Sequence, residues 1–382
     1  MNPHYIGVTG FTSRQQIDEV VACLPREMKI GNRKQCLMAG ILVSSKTLAG
    51  KQNSYPNKYP AVENISSILS DDERVMNFLH FSCDDKKFLS PQIDQLMDIV
   101  NSTTRTQLQV HGIQLNVKWP HVADLCYIKR RHQVLITLQV GARALSECGC
   151  DVLAVREKIE EYLMSAEQLN TKRPFDYILL DLSAGQGKEL NVSMMKRYID
   201  ELLKIQQISN GEILLGVAGG LSHDNLDILE PLTERYPALV IDAEGKLRGD
   251  SSTTDEQFVF NATNYVKNAI VALDPTKPKC QVCGQRKSIG VCSSRLGAFS
   301  VAYCRVCILN DAEPEWAFSA TYSTVGDNVA EWVKEIKTYV VGQYLTWTEW
   351  LECYGENARN AKQEFDELCE QHDRYMEENK DE

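Results

Sequence analysis

Eight apolar runs, each followed by a helical pattern or a polar loop, succeed one another along residues 1–274, and that series leaves few folds open. The runs are HYIGVTGF at 4–11, CLMAGILVS at 36–44, VMNFLHFS at 75–82 and TQLQVHG at 106–112. HQVLITLQV at 132–140, FDYILLDL at 175–182, ILLGVAGG at 213–220 and ALVIDAEGKLR at 238–248 follow. Strands separated by helices lie parallel in one sheet, and eight of them in one series point to a closed (β/α)8 (TIM) barrel, about 250 residues long. The competing fold is an open, doubly wound sheet. That fold carries its glycine-rich phosphate loop after the first strand, whereas here the glycines cluster late. Ser13 is placed to cap the first helix, and 255–273 supplies a closing helix.

The late glycines carry the first functional signal. The seventh run ends in Gly219-Gly220, and Ser222-His223-Asp224-Asn225 then opens a helix in this reading. Paired glycines let the backbone approach a ligand, and the free N–H groups of a helix N-terminus suit a phosphate. Barrels place such sites on the loops after strands seven and eight. The eighth run also ends in a small turn, at Gly245.

Composition narrows the classes. An apolar fraction of 43% supports a sizeable core, and the formal net charge of −11 argues against the whole molecule embracing nucleic acid. No window approaches 18 continuous apolar residues, and no basic start precedes an apolar N-terminal core, which argues against a membrane span or an export signal. Thirteen cysteines without such a signal indicate reduced thiols and a metal site in a cytoplasmic protein.

Read together, four segments resemble phosphoribosylanthranilate isomerase of tryptophan biosynthesis. VTGFTSRQQI at 8–17 resembles that family's opening strand and helix, and LQVHGIQ at 108–114 its Gln-Leu-His-Gly strand end. YILLDLSAGQGKELN at 177–191 resembles its Leu-Leu-Asp strand and glycine-rich loop. GVAGGLSHDN with VIDAEG resembles its two phosphate loops. The resemblance implies a (β/α)8 barrel and a ribose phosphate joined to an aromatic or heterocyclic amine. It implies an Amadori rearrangement with an aspartic acid at Asp181 and a cysteine base at the position of Thr9. A thiol, with a reference pKa of about 8.5, reaches the thiolate near neutral pH. A threonine hydroxyl is no base unaided, so the inherited site looks retained but repurposed. The eighth loop departs too, carrying Ala243-Glu244-Gly245 where the family uses small hydroxyl residues.

Asp181 is therefore the candidate acid–base residue, with His111 and Thr9 as polar walls of the catalytic site. Gly219, Gly220 and Gly245 are candidates for the phosphate. Lys188, Arg143 and Lys46 are rim cations for further anionic groups, and Glu244 would face another part of the ligand.

The second strong signal is CQVC at 280–283 with CRVC at 304–307. Two C-x2-C pairs about 20 residues apart match a closed four-cysteine site, so Cys280, Cys283, Cys304 and Cys307 are candidate ligands of a structural Zn²⁺. Cys292 is a spare thiol. The chain thus divides into a barrel at 1–274, a zinc-ribbon-like module at 275–326 and a helical C-terminal segment at 327–382. The aromatic helices of that last segment offer a surface for a protein partner or for self-association. Three functions remain open: an enzyme that isomerises, lyses or hydrolyses a phosphorylated ribose derivative; a non-catalytic binder or sensor of a nucleotide or sugar phosphate; and nucleic-acid processing through the locally basic zinc module.

Overall fold

The computed structural model describes residues 2–303, apart from 52, 54–56, 84, 104–107, 182–190, 234, 250–251, 275–278, 281–282, 288–289 and 294–299. The chain divides into two compact units, the first ending at Leu273 and the second beginning at Asp274.

In the first unit eight strands form one ring. They are β1 (His4–Thr9), β2 (Arg33–Ser44), β3 (Val75–Ser82), β4 (Gly112–Asn116), β5 (Leu135–Gly141), β6 (Tyr177–Asp181), β7 (Leu214–Ala218) and β8 (Val240–Ala243). Neighbours pair in chain order and in parallel, and β1 pairs with both β2 and β8, which closes the barrel. A two-residue strand at Lys29–Ile30 folds back on β2. The ring is the fold that the eight-run series implies, and an open sheet is excluded. Among the described residues no helix is long and apolar enough to cross a membrane.

The interior follows from a period of two. Along each strand alternate side chains face the axis. Tyr5, Met38, Met76, Phe78, Tyr177, Leu214 and Val240 pack together as a plug separate from the main core, with the Tyr5 and Tyr177 rings edge-on at 5.0 Å. Two residues further along the strands the same face carries His80 above Phe78 and Asp242 above Val240. Four residues further come Thr9 above Tyr5, Asp181 above Tyr177 and Glu244 above Val240. An apolar floor thus gives way to polar groups toward the strand C-termini. Outside the ring, apolar residues of strands and helices form the main core, including Ile6, Val8, Ile17, Val20, Ile199, Leu202 and Tyr265. The first helix, Arg14–Ala22, starts at a capping box in which Ser13 and Gln16 satisfy each other's backbone N–H groups.

Close packing inside the ring requires glycine at defined places. A Cβ on Gly40 would lie 2.4 Å from Thr9 Oγ1, and one on Gly7 would lie 2.8 Å from Asp242 Oδ1. The seam between β1 and its neighbours therefore has room for the Thr9–Asp242 contact only because these positions lack side chains.

Two expectations change. The fourth strand is Gly112–Asn116, not 106–112, with Gly112 in register with Phe78. Gln114-Leu115-Asn116 thus forms its C-terminal end, and His111 precedes its first residue. The segment after Gly219-Gly220 is a turn rather than a helix start. Asn225 accepts from the Ser222 N–H at 2.8 Å and donates to the Gly220 carbonyl at 2.8 Å, so its side chain holds the loop. A 3-10 turn, Leu226–Leu229, and a helical turn, Glu230–Thr233, follow.

Candidate functional site

A cavity of about 760 Å³ opens at the C-terminal ends of the strands, the end at which barrels of this class carry their chemistry. Its lining includes His80, Gln114, Gln139, Asp181, Asp242 and Glu244 from the strand ends, with Lys58, Arg143, Gly219, Gly220 and Gly245 from the loops.

One polar network forms the floor. Thr9, fully buried, donates to Asp242 Oδ1 at 3.0 Å and approaches Oδ2 at 3.2 Å. Gln114 Nε2 donates to Asp242 Oδ2 at 3.1 Å and lies 3.3 Å from Gln139 Oε1. Gln139 Nε2 donates to Asp181 Oδ2 at 3.0 Å, while Gln139 Oε1 lies 3.0 Å from His80 Nε2. Five strands thereby contribute to one chain of hydrogen bonds running from Thr9 to Asp181, and His80 on β3 joins it.

Burial shifts two of the cavity carboxyls. Asp242 is 3% exposed, and desolvation pushes its carboxyl above the ordinary aspartate range, with the nearby Asp181 adding to the rise. The electrostatic pull of His80 and the hydrogen bonds from Gln114 and Thr9 oppose it. Glu244 is raised as well, again first by burial. His80 and Lys58 pull it down, and Asp242 and Asp181 push it up. Lys58 Nζ stands 3.9 Å from Glu244 Oε1.

Gly219 and Gly220 line the cavity with φ of 107° and 66°, conformations that favour glycine. Gly245 also lines it, beside Glu244. Arg143 stands at the rim on the helix Ala142–Glu147. Lys46 is exposed on the helix Ser45–Leu48 and is not among the lining residues. Lys188 lies outside the described residues.

Thr9 sits under the floor rather than in the cavity wall, with its hydroxyl engaged by Asp242. His111 is corrected more sharply. It stands at the N-terminal end of β4, where its Nδ1 accepts from the Asn77 N–H at 2.9 Å and burial lowers its pKa. That is the end of the barrel opposite the cavity, and His111 serves there as a structural link between β3 and β4.

Sequence reasoning missed Asp242, His80, Gln114 and Gln139. Each is a polar residue on the axial face of an otherwise apolar strand, and that alternation is the signal that could have found them.

In the second unit, Cys280 is 1% exposed. Its N–H donates to the Arg286 carbonyl at 2.7 Å, and its own carbonyl accepts from the Gly284 N–H at 2.8 Å. Gly284 has φ of 65°, and Lys279 pairs with Lys287 across the turn. Strands β9 (Gly290–Ser293) and β10 (Ser300–Tyr303) pair antiparallel beyond it. Cys304, Cys307 and the segment 327–382 lie outside the described residues. Among the described residues no group of three or more metal-binding side chains occurs.

No family model and no curated protein matches the sequence. Among solved structures, one of monomers of the dimeric phosphoribosylanthranilate isomerase from Thermotoga maritima is 14% identical. The match covers 70% of this chain and 98% of that one, with a TM-score of 0.39. TrpF from Jonesia denitrificans is also 14% identical, over 71% and 99% of the two chains, with a TM-score of 0.40. The fold assignment itself rests on the closed ring of parallel strands.

The raised carboxyl at Asp242 has a consequence for stability. A folded-state pKa above the unfolded value means that the folded chain holds that proton more tightly. The associated stability is present at low pH and is lost as pH rises through the folded pKa of Asp242. Asp242→Asn keeps acceptor and donor atoms for Gln114 and Thr9 without the buried charge. Its melting temperature at neutral pH is expected to equal or exceed that of the parent chain. Its loss of stability above the ordinary carboxylate range should be shallower, with the remainder due to Glu244. Thermal melts across pH check this, and a lower melting temperature with an unchanged pH slope would contradict it.

Proposed function

We propose that the chain is an enzyme that isomerises a phosphorylated ribose derivative at the C-terminal mouth of its barrel. The carrying observation is the acidic floor: Asp181 and Asp242 line one cavity and are tied together through Gln139 and Gln114. An isomerisation moves a proton between two positions of its substrate, so it needs a donor and an acceptor on one surface. Asp242, whose burial favours the protonated form, supplies the donor. Asp181, the less buried of the two, supplies the acceptor. Two carboxyl groups in different surroundings divide acid and base work in this way.

The phosphate is assigned to the Gly219–Gly220 turn, in keeping with the phosphate loops that the sequence resembles. Arg143 offers a further cationic contact. Thr9 replaces the thiol that the resemblance leads one to expect, and its hydroxyl already donates to Asp242. It orients the acid and is not itself a base. The reaction therefore follows a route in which carboxyl groups do the work of the thiol.

The test is turnover. The chain is incubated with N-linked ribose phosphates and the products are followed by mass and by new absorbance. Conversion by the parent chain, reduced about 10²–10⁴-fold in kcat by Asp181→Asn, is the expected result. Ribose phosphate recovered unchanged from a tight complex would replace this reading with the non-catalytic binder.

For the second unit we propose a structural Zn²⁺ held by Cys280, Cys283, Cys304 and Cys307. The supporting observation is the backbone at the first cysteine pair, where the Gly284 N–H donates to the Cys280 carbonyl at 2.8 Å and Gly284 has a left-handed φ of 65°. A closed tetrathiolate site leaves no open coordination position and contributes folding energy to a small module. Elemental analysis of the purified full chain is expected to find about one zinc per molecule, lost on Cys280→Ser or Cys283→Ser. A metal-free chain whose second unit resists chelators and stays folded would contradict it.

A further inference from the structure

His80 belongs to the cavity floor, and the acid–base pair does not employ it. It lies in the middle of an apolar strand, is 6% exposed, and lines the cavity. Its Nε2 is 3.0 Å from Gln139 Oε1. Its Nδ1 is buried and finds no hydrogen-bond partner among the described residues.

Which ring nitrogen carries the proton follows from the neighbours. A carboxylate oxygen accepts, so the Gln139 side chain must turn its NH₂ toward Asp181 Oδ2. Its Oε1 then faces His80, and an amide oxygen only accepts. His80 Nε2 must therefore be the N–H donor. Gln114 Nε2 also stands 3.3 Å from His80 Nε2, and a bond from it would require the opposite tautomer. The two hydrogens of Gln114 already have oxygen acceptors, Asp242 Oδ2 at 3.1 Å and Gln139 Oε1 at 3.3 Å. The opposite tautomer would also leave an N–H at Nδ1 buried without an acceptor, a rarer and costlier state than an unused lone pair.

The geometry points to His80 as a positioning residue whose tautomer Asp181 dictates through the Gln139 amide, its Nε2–H in turn holding the amide that meets Asp181. The inference rests on the proposed function for the role of Asp181 and on nothing but the network for the tautomer. The arrangement resembles in logic any histidine whose tautomer is set by an outer hydrogen bond. Here the outer group is itself an acid–base residue, so the imidazole and the reacting carboxylate are aligned by a single amide.

The experiment reads the tautomer directly. Long-range nitrogen–proton correlation spectra of the uniformly ¹⁵N-labelled full chain report which imidazole nitrogen is protonated. His80 is assigned by the signal lost in His80→Gln, and spectra are taken well above the ordinary histidine pKa of about 6.5. The expected state is the Nε2–H tautomer. Asp181→Asn, whose side chain can present either a donor or an acceptor, frees Gln139 to turn over and should give a tautomer mixture. Gln139→Leu should do the same. An Nδ1–H tautomer in the parent chain overturns the inference, as does a tautomer unmoved in both variants. In the turnover assay His80→Phe is expected to lower kcat at least about tenfold, and an unchanged value rules out the positioning role. If the parent chain turns nothing over, the proposed function fails while the tautomer measurement still stands.

Discussion

Closure of the ring at β1 is the constraint on which the site depends. β1 is hydrogen-bonded on both edges, to β2 and to β8, and only that double pairing brings Thr9 from the start of the chain against Asp242, more than 200 residues later. Gly7 and Gly40 hold the space for it. Arg248, 1% exposed, reinforces the same seam. It donates to the Gly10 carbonyl at 3.0 Å and to Thr12 Oγ1 at 2.9 Å, pairs with Asp255 at 2.8 Å, and stacks its guanidinium 4.2 Å from the centre of the Phe258 ring. A buried arginine this well satisfied is costly to break, because removal of any partner strands a charge away from water.

From that closure the rest follows in layers. The aromatic and aliphatic plug packs beneath the polar floor, toward the N-terminal end of the barrel. Burial is what raises Asp242 and Glu244, and removal from water strengthens each hydrogen bond among Thr9, Gln114, Gln139, His80 and the two aspartates. A carboxyl group in such a place is unfavourable for stability and useful for chemistry, since it carries a proton at a pH where an exposed carboxyl would not. Stability is conceded at the floor and recovered in the layer between strands and helices, where apolar burial is continuous.

Much of this was legible in the sequence, for identifiable reasons. Apolar runs set apart by helical patterns reveal a parallel barrel because both faces of each strand are buried. Asp181 and the Gly219-Gly220 turn stood out because they interrupt such runs at their ends. Asp242 did not, because Glu244 and Gly245 directly after it drew the functional reading. A count by twos from Val240 would have put Asp242 and Glu244 on the same axial face. His80 sits inside FLHFS, where a single histidine looks like an ordinary core residue. His111 was misassigned because QLQV alternates as well as IQLN does. Only the long-range register of Gly112 with Phe78 decides which segment is the strand, and no local pattern encodes that register.

The central claim is that burial on a closed polar floor holds the Asp242 carboxyl above the ordinary aspartate range, as the acid of the proposed function requires. A ¹³C-detected titration of the side-chain carboxyl of Asp242 in the unmodified chain tests this most directly. A midpoint clearly above the usual aspartate value of about 3.9 is the predicted result. A midpoint at or below that value would mean that the floor stabilises the charge, and the acid–base account would be wrong.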